Sequence, residues 1–262
     1  MPISLFQKQV LLALKSIRNP ESYVAGGTAI QRAEDSLRYS NDIDFFHDTD
    51  EALTQAFSQD RQTLIEKNYS FVPLITQPSF YRAIISKGKE TLKLEWVRDT
   101  AFRFFPVVED PEMGYRLHDV DLAINKCLAL ANRTALRDIL DILELDKKIL
   151  PLSACIWAAC GKDPGFTPEL ILEMIQRHAI ISPELLNMES LSRPVDPKEV
   201  KSAFLKTHSK AKRELQSFPS KTLGCLFLDK KGEVIEKLDN IDFTKAKLHY
   251  GSVRGSWPRI VE

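Results

Sequence analysis

Asp42 and Asp44 stand two positions apart in the segment Asp42-Ile43-Asp44-Phe45. On a strand, side chains at i and i+2 leave the same face, so the two carboxylates can jointly hold hard divalent cations such as Mg2+. Metals held this way suit phosphoryl-type transfer, in which the entering and leaving oxygens both carry charge. Upstream lies Gly26-Gly27-Thr28. Paired glycines let a backbone come close to a triphosphate, and the N–H groups of a following helix can donate to its oxygens. Taken singly, each feature also fits plain structure: a Gly-Gly turn, or an exposed strand end.

A further acid can join them from a neighbouring strand. In Leu92-Lys93-Leu94-Glu95-Trp96-Val97 the alternation makes Glu95 leave the sheet between large apolar residues, as a metal ligand or as a base. The charged neighbours Lys93 and Arg98 fit a solvated strand face as well. Arg38 and Ser40, just before the aspartates, can contact phosphate or orient the carboxylates, and an exposed turn is the equal alternative. The histidines are scattered without zinc spacing; His47 alone follows the aspartates closely.

The elements that must position these groups follow from periodicity. Ile3, Phe6, Val10, Leu14 and Ile17 mark an amphipathic helix that ends near Asn19-Pro20. A strand over Tyr23-Val24-Ala25 then runs into the glycines, Thr28 caps a helix to about Glu34, and Ile43 to His47 form the next strand. Residues 50 to 67 read as a helix, and Ser70 to Ile75, Phe80 to Ser86 and Thr91 to Val97 as strands. From Val120 the pattern is helical, to about Ala131, from Thr134 to Lys148, and near 152–160, 168–178 and 197–216. The tail predicts a small hairpin, Thr222 to Leu228 with Val234 to Leu238, turning at Asp229-Lys230-Lys231-Gly232. The expected class is α+β: a mixed sheet flanked by helices over 1–150, then a mainly helical domain over 151–262 with a small β appendage, divided near Leu150-Pro151.

Composition limits the function without naming it. The chain has 262 residues, 44% of them hydrophobic, enough to fill real cores. Lys plus Arg (36) equals Asp plus Glu (36), so any polyanion must be met by a local patch. One candidate is the stretch with Lys198, Lys201, Lys206, Lys210, Lys212 and Arg213, interleaved with Val200, Ala203, Phe204 and Leu215; a solvated helix face is the blander alternative. Cys127, Cys155, Cys160 and Cys225 have apolar neighbours and read as buried thiols. No leader pattern and no apolar run of bilayer length is present, so a cytoplasmic protein with no membrane contact is expected.

Gly-Gly, a helix, then Asp-apolar-Asp-apolar on the next strand resembles the DNA polymerase β nucleotidyltransferase superfold. More narrowly, three blocks resemble the AbiEii/AbiGii toxin family. They are Gly26-Gly27-Thr28-Ala29-Ile30, then Arg38 and Ser40 before Asp42-Ile43-Asp44-Phe45, and last Asp121-Leu122-Ala123 followed by Lys126, Ala129-Leu130, Arg133, Arg137-Asp138 and Asp141. The blocks span roughly residues 22 to 145, and nothing after about 150 carries the resemblance.

The resemblance implies an NTP-dependent transferase acting as the toxin of a toxin–antitoxin or phage-defence system, with a cognate antitoxin, and with tRNA or another RNA as acceptor. It implies two Mg2+ ions on Asp42, Asp44 and Glu95, and a nucleotide held at Gly26, Gly27, Thr28, Arg38, Ser40 and Lys126. It also places Lys126 at the nucleotide's charge and Asp138, with Asp141 beside it, at the catalytic site. On an ideal continuous helix Lys126, Arg133 and Arg137 would share one face as a cationic stripe, although Thr134 can cap a new helix after a break near Asn132. Two other functions fit the same carboxylates: a small-molecule nucleotidyltransferase of the antibiotic-modifying kind, and a module that binds nucleotide without turnover.

Overall fold

The computed structural model describes residues 3–238 and 241–258. The chain forms two compact units, Met1–Ala101 with Pro106–His118, and Phe102–Phe105 with Asp119–Glu262. The first unit opens with α1 (Leu5–Leu14), whose Ser4 and Gln7 cap each other's backbone N–H, and a 3-10 turn at Lys15–Ile17. Then come β1 (Ser22–Ala25), α2 (Gly26–Ile30), β2 (Asp42–His47), α3 (Asp50–Glu66), β3 (Ser70–Gln77), β4 (Phe80–Lys87) and β5 (Glu90–Arg98). After β6 (Phe102–Arg103), which belongs to the second unit, β7 (Val108–Asp110) and β8 (Gly114–Arg116) complete the sheet. Its order is β3-β4-β5-β2-β1-β8-β7. The β2–β5 and β1–β8 pairs are parallel and the rest antiparallel, which makes the sheet mixed as expected.

The second unit holds α4 (Asp119–Asn132), α5 (Leu136–Lys148), α6 (Leu152–Lys162), α7 (Pro168–His178), α8 (Pro183–Met188) and α9 (Pro197–Leu215), then β9 (Cys225–Leu228), β10 (Lys247–Tyr250) and β11 (Ser252–Val253). The units divide at His118–Asp119, whereas the sequence placed a division near Leu150-Pro151. Pro151 only separates α5 from α6, and α4 packs on both of them and on α7, so helices on either side of residue 150 share one core. The stray segment Phe102–Phe105 joins that core through Asp121, whose buried carboxylate accepts the N–H groups of Phe104 at 2.8 Å and Phe105 at 3.0 Å. The expected turn at Gly232 (φ 86°) brings the chain back along β9, through the Leu228–Val234 bridge and the Ile235 N–H donated to Phe227 O at 3.0 Å, but the ladder partner of β9 is β10 rather than Val234 to Leu238. All four cysteines are free and buried. Among the described residues no helix is long and apolar enough to cross a membrane.

In the first unit the sheet face away from Asp42 and Asp44 is sealed by α3. Phe45 and Trp96 are fully buried there, and Phe57 of α3 meets Trp96 edge to face at 5.1 Å. Among these rings lies a buried ion pair, Arg18 with Asp60. Trp96 Nε1 donates to Asp60 Oδ2 at 2.7 Å, and the Arg18 guanidinium lies 4.4 Å over the Phe45 ring. Removing one partner of such a pair typically costs about 3–5 kcal/mol, because the other charge stays buried.

His47 closes β2 on this sealed face, so it points away from the aspartates it follows in sequence. Burial, and then the nearby Arg18 charge, lower its imidazole pKa to about 3. The unfolded ring titrates near 6.5, so between those values the unfolded chain binds the extra proton, and stability falls as pH is lowered through that window. The slope contributed by one such group is at most about 1.4 kcal/mol per pH unit. Urea unfolding of wild type and His47→Gln should therefore give ΔG curves parallel above pH 7 that draw apart below pH 6, with wild type losing more. Curves that stay parallel down to pH 4.5 would mean that the folded ring accepts a proton.

Candidate active site

Strand pairing builds the acidic face. In the parallel pair Asp42 lies beside Lys93 and Asp44 beside Glu95, and on the other side of β5 Arg82 lies beside Glu95. Their sequence neighbours Ile43, Phe45, Leu94 and Trp96 are fully buried on the opposite face, so alternation places all five charged side chains together. The three predicted acids thus share one face. Lys93 Nζ donates to Asp42 Oδ2 and to Glu95 Oε1 at 2.9 Å each. Arg82 donates to the same Glu95 oxygen from Nε and Nη2, also at 2.9 Å. Burial pulls the Lys93 pKa down, but its hydrogen bonds to Glu95 and Asp42 outweigh that and hold it above the ordinary lysine value.

The glycine turn closes on the same face. Gly26 has φ 64°, and a Cβ built on it would lie 2.2 Å from Asp44 Oδ2, so the carboxylate rests in space that only glycine leaves open. A Cβ on Gly27 would stand 3.1 Å from both Arg38 Nη2 and Ser40 Oγ. Thr28, expected as a cap, lies inside α2, whose N-cap is Ala25. Its hydroxyl instead donates to the Asp42 carbonyl and lies 3.2 Å from Ser40 Oγ. Ser40 Oγ donates to that carbonyl at 3.1 Å, and Gln7 Nε2 reaches it at 3.3 Å while bonding Ser40 O at 2.9 Å.

Thr28, Arg38 and Ser40 are all buried, and Arg38 donates to its neighbour's carbonyl, Tyr39 O, at 3.1 Å. These bonds pin the start of β2. Gln7 has no place in the sequence reading. Its signal was a polar side chain on the buried side of α1, next to Phe6 and one turn before Val10 and Leu11.

Lys126, Asp138 and Asp141 belong to the second unit, where they form a buried cluster. Lys126 Nζ lies 2.9 Å from Asp138 Oδ1 and 2.9 Å from Asp141 Oδ2, and Arg133 clasps Asp138 with Nε at 2.7 Å and Nη2 at 3.0 Å. Burial raises the Asp138 carboxyl, but the Arg133 and Lys126 interactions outweigh it and leave the pKa below the ordinary value. The continuous stripe of Lys126, Arg133 and Arg137 does not form: α4 ends at Asn132, α5 starts after Ala135 rather than from a Thr134 cap, and Arg133 folds onto Asp138. In α9, Val200, Phe204, His208 and Ala211 are buried, while Lys198, Lys201, Lys206, Lys212 and Arg213 are exposed and Lys210 is partly so.

Among the described residues no three acidic, histidine or cysteine side chains converge closely enough to hold a metal ion as they stand. The donors on the sheet face still fit one. Carboxylate oxygens are the ligands that Mg2+ prefers, and those of Asp42 and Glu95 already share one compact cation, the Lys93 ammonium.

No family model matches the sequence, and no curated protein does. Solved structures do. The chain is similar to MenT4, a nucleotidyltransferase toxin from Mycobacterium tuberculosis, with TM-score 0.57 and 16% identity over 83% of this chain and 84% of that one. It is also similar to a candidate nucleotidyltransferase from H. pylori, with TM-score 0.50 and 18% identity over 80% of this chain and 94% of that one. The chain therefore shares the fold of these two structures, α+β with helices around a mixed sheet.

The glycine cradle can be tested with an internal control. Gly88 has nearly the same backbone (φ 63°) but nothing near its missing Cβ, so Gly88→Ala carries only the left-handed penalty of about 1–2 kcal/mol. Gly26→Ala carries that penalty and must also displace the Asp44 carboxylate. In urea unfolding Gly26→Ala should lose at least about twice as much stability as Gly88→Ala. Equal losses would mean that Asp44 yields without cost.

Proposed function

We propose that the chain is a metal-dependent nucleotidyltransferase that moves a nucleotide from an NTP to an acceptor. The supporting observation is the meeting of Asp42, Asp44 and Glu95 on one sheet face with Asp44 against the Gly26 turn, in a fold shared with nucleotidyltransferases. Asp42, Asp44 and Glu95 are the residues that would hold two Mg2+ ions. Bound there, the ions would supply Lewis-acid stabilisation to the entering and leaving oxygens at the α-phosphorus. The Gly26-Gly27 turn is the backbone that would meet the triphosphate, with the missing Cβ atoms' space taken up by Asp44 at Gly26 and by Arg38 and Ser40 at Gly27. Thr28, Ser40 and Gln7 fix the Asp42 backbone, and the buried Arg38 stands beside Gly27. Glu95 is also the candidate to accept the proton of the acceptor hydroxyl.

Lys126 and Asp138 keep their proposed catalytic part on the AbiEii/AbiGii resemblance alone. The same resemblance, together with the toxin activity of MenT4, supports a toxin with a cognate antitoxin. RNA, tRNA included, is the proposed acceptor. Its support is the exposed cationic side of α9, which offers several point charges to a polyanion.

Incubation with each labelled NTP and total tRNA separates the readings. Label on RNA is the expected result; label on a small molecule alone, or binding without transfer, would support the two other functions. Asp44→Asn should lower transfer at least about a hundredfold while the fold is kept, because a carboxylate on the open face contributes little to the core. Undiminished transfer would remove the metal chemistry from this face.

The acceptor surface has its own readout. Replacing Lys206, Lys210, Lys212 and Arg213 by glutamine should weaken RNA binding and leave NTP affinity nearly unchanged. Each lost phosphate contact on a single strand flattens the log–log salt dependence by roughly 0.7, so four lost contacts are easily seen. An unchanged salt slope would make α9 a solvated face.

A further inference from the structure

Lys93 is paired with Asp42 across β2 and β5 and stands two positions before Glu95 on the same strand face, so the backbone delivers its ammonium to both acids. Nζ lies 2.9 Å from an oxygen of each. The two acids are close enough to share one cation, and without it they would repel each other across neighbouring strands. A divalent ion bound by both oxygens at about 2.0–2.1 Å needs the volume that Nζ fills. The place is therefore contested, and it is open to exchange: the side chains of Asp42 and Glu95 are 13% and 14% exposed and that of Lys93 34%.

We propose that Lys93 is a tethered counter-ion, which holds Asp42 and Glu95 together in the metal-free protein and withdraws when a divalent cation enters, so that it sets the affinity of this face for the cation. The inference rests on the reading of Asp42 and Glu95 as metal ligands. A lysine suits this role. Its ammonium is a compact, strongly hydrated charge on a flexible four-carbon stem, so it can return to water, whereas a guanidinium would grip the carboxylates through a planar fork. Arg82, which approaches Glu95 from the far side through Nε and Nη2, is placed to keep that carboxylate oriented after Lys93 has left.

Direct titration with Mn2+, following the free ion by its paramagnetic resonance signal, tests the exchange on the full chain without any need for activity. Lys93→Met should bind Mn2+ about tenfold more tightly than wild type, within the usual range of coupling between two competing sites. Lys93→Arg should bind no more tightly than wild type, and Asp44→Asn more weakly. Affinity in folded Lys93→Met that equals or falls below wild type overturns the proposal, because a lysine that merely braced the strands would lose ligand geometry on removal. If Asp44→Asn binds Mn2+ like wild type, the metal assignment itself fails, and the counter-ion role fails with it.

Coupling is reciprocal, which supplies a measurement on the unaltered protein. Saturating Mg2+ should raise the rate of amine acylation at Lys93 several-fold, read by peptide mass spectrometry against other lysines. An unchanged rate would overturn the proposal even if Lys93→Met did not fold.

Discussion

In a parallel strand pair, residues at matching positions stand side by side, and the two strands turn the same alternate side chains to each face. Between β2 and β5 this pairing sets Asp42 by Lys93 and Asp44 by Glu95. A slip of one residue in β5 would send Lys93 and Glu95 toward α3 and bring Leu94 and Trp96 out beside the aspartates. Every other feature of the acidic face presupposes the register. It lets Lys93 reach two acids at once, and it lets Asp44 lean on Gly26, which has no Cβ to oppose it.

The register is held from behind. Phe45 and Trp96 are alternate neighbours of Asp44 and Glu95, and they are locked under α3 by ring contacts and by the Asp60 carboxylate that Trp96 and Arg18 share. Burying a charge there is costly unless its partners are in place, so the Arg18–Asp60 pair penalises misplaced packing as much as it rewards the right one. From the front, Thr28, Ser40 and Gln7 converge on the Asp42 carbonyl and fix where β2 begins. One face is thus specified by packing and the other by hydrogen bonds.

What could be read from the sequence follows from how local each signal is. Asp42 to His47 and Leu92 to Val97 carry a period of two within a few residues, so the strands and the shared face of the three acids were legible. The strands β7 and β8, three residues each, are too short to show any period. The partner of β9 was missed because the turn at Gly232 is a strong local signal, while the actual partner begins at Lys247 and is chosen by tertiary packing. Gln7 escaped for the same reason, since its bonds reach 33 and 35 residues along the chain. Lys93 was visible as a charge, but whether a strand lysine faces water or bridges two acids depends on the neighbouring strand.

Lys93 and Lys126 each join a pair of carboxylates, and their exposure separates what they can do. Around Lys126 the side chains of Asp138 and Asp141 have no exposure and that of Lys126 has 7%. Replacing any of these charges there means opening packed helices, since a bare buried carboxylate is not tolerated. Around Lys93 all three side chains keep contact with solvent, so one cation can give way to another while the strands stay paired. The same chemical group therefore acts as a fixed part of the core in the second unit and as an exchangeable one on the sheet of the first. The difference lies in how much water reaches the carboxylates, which residue type alone does not encode.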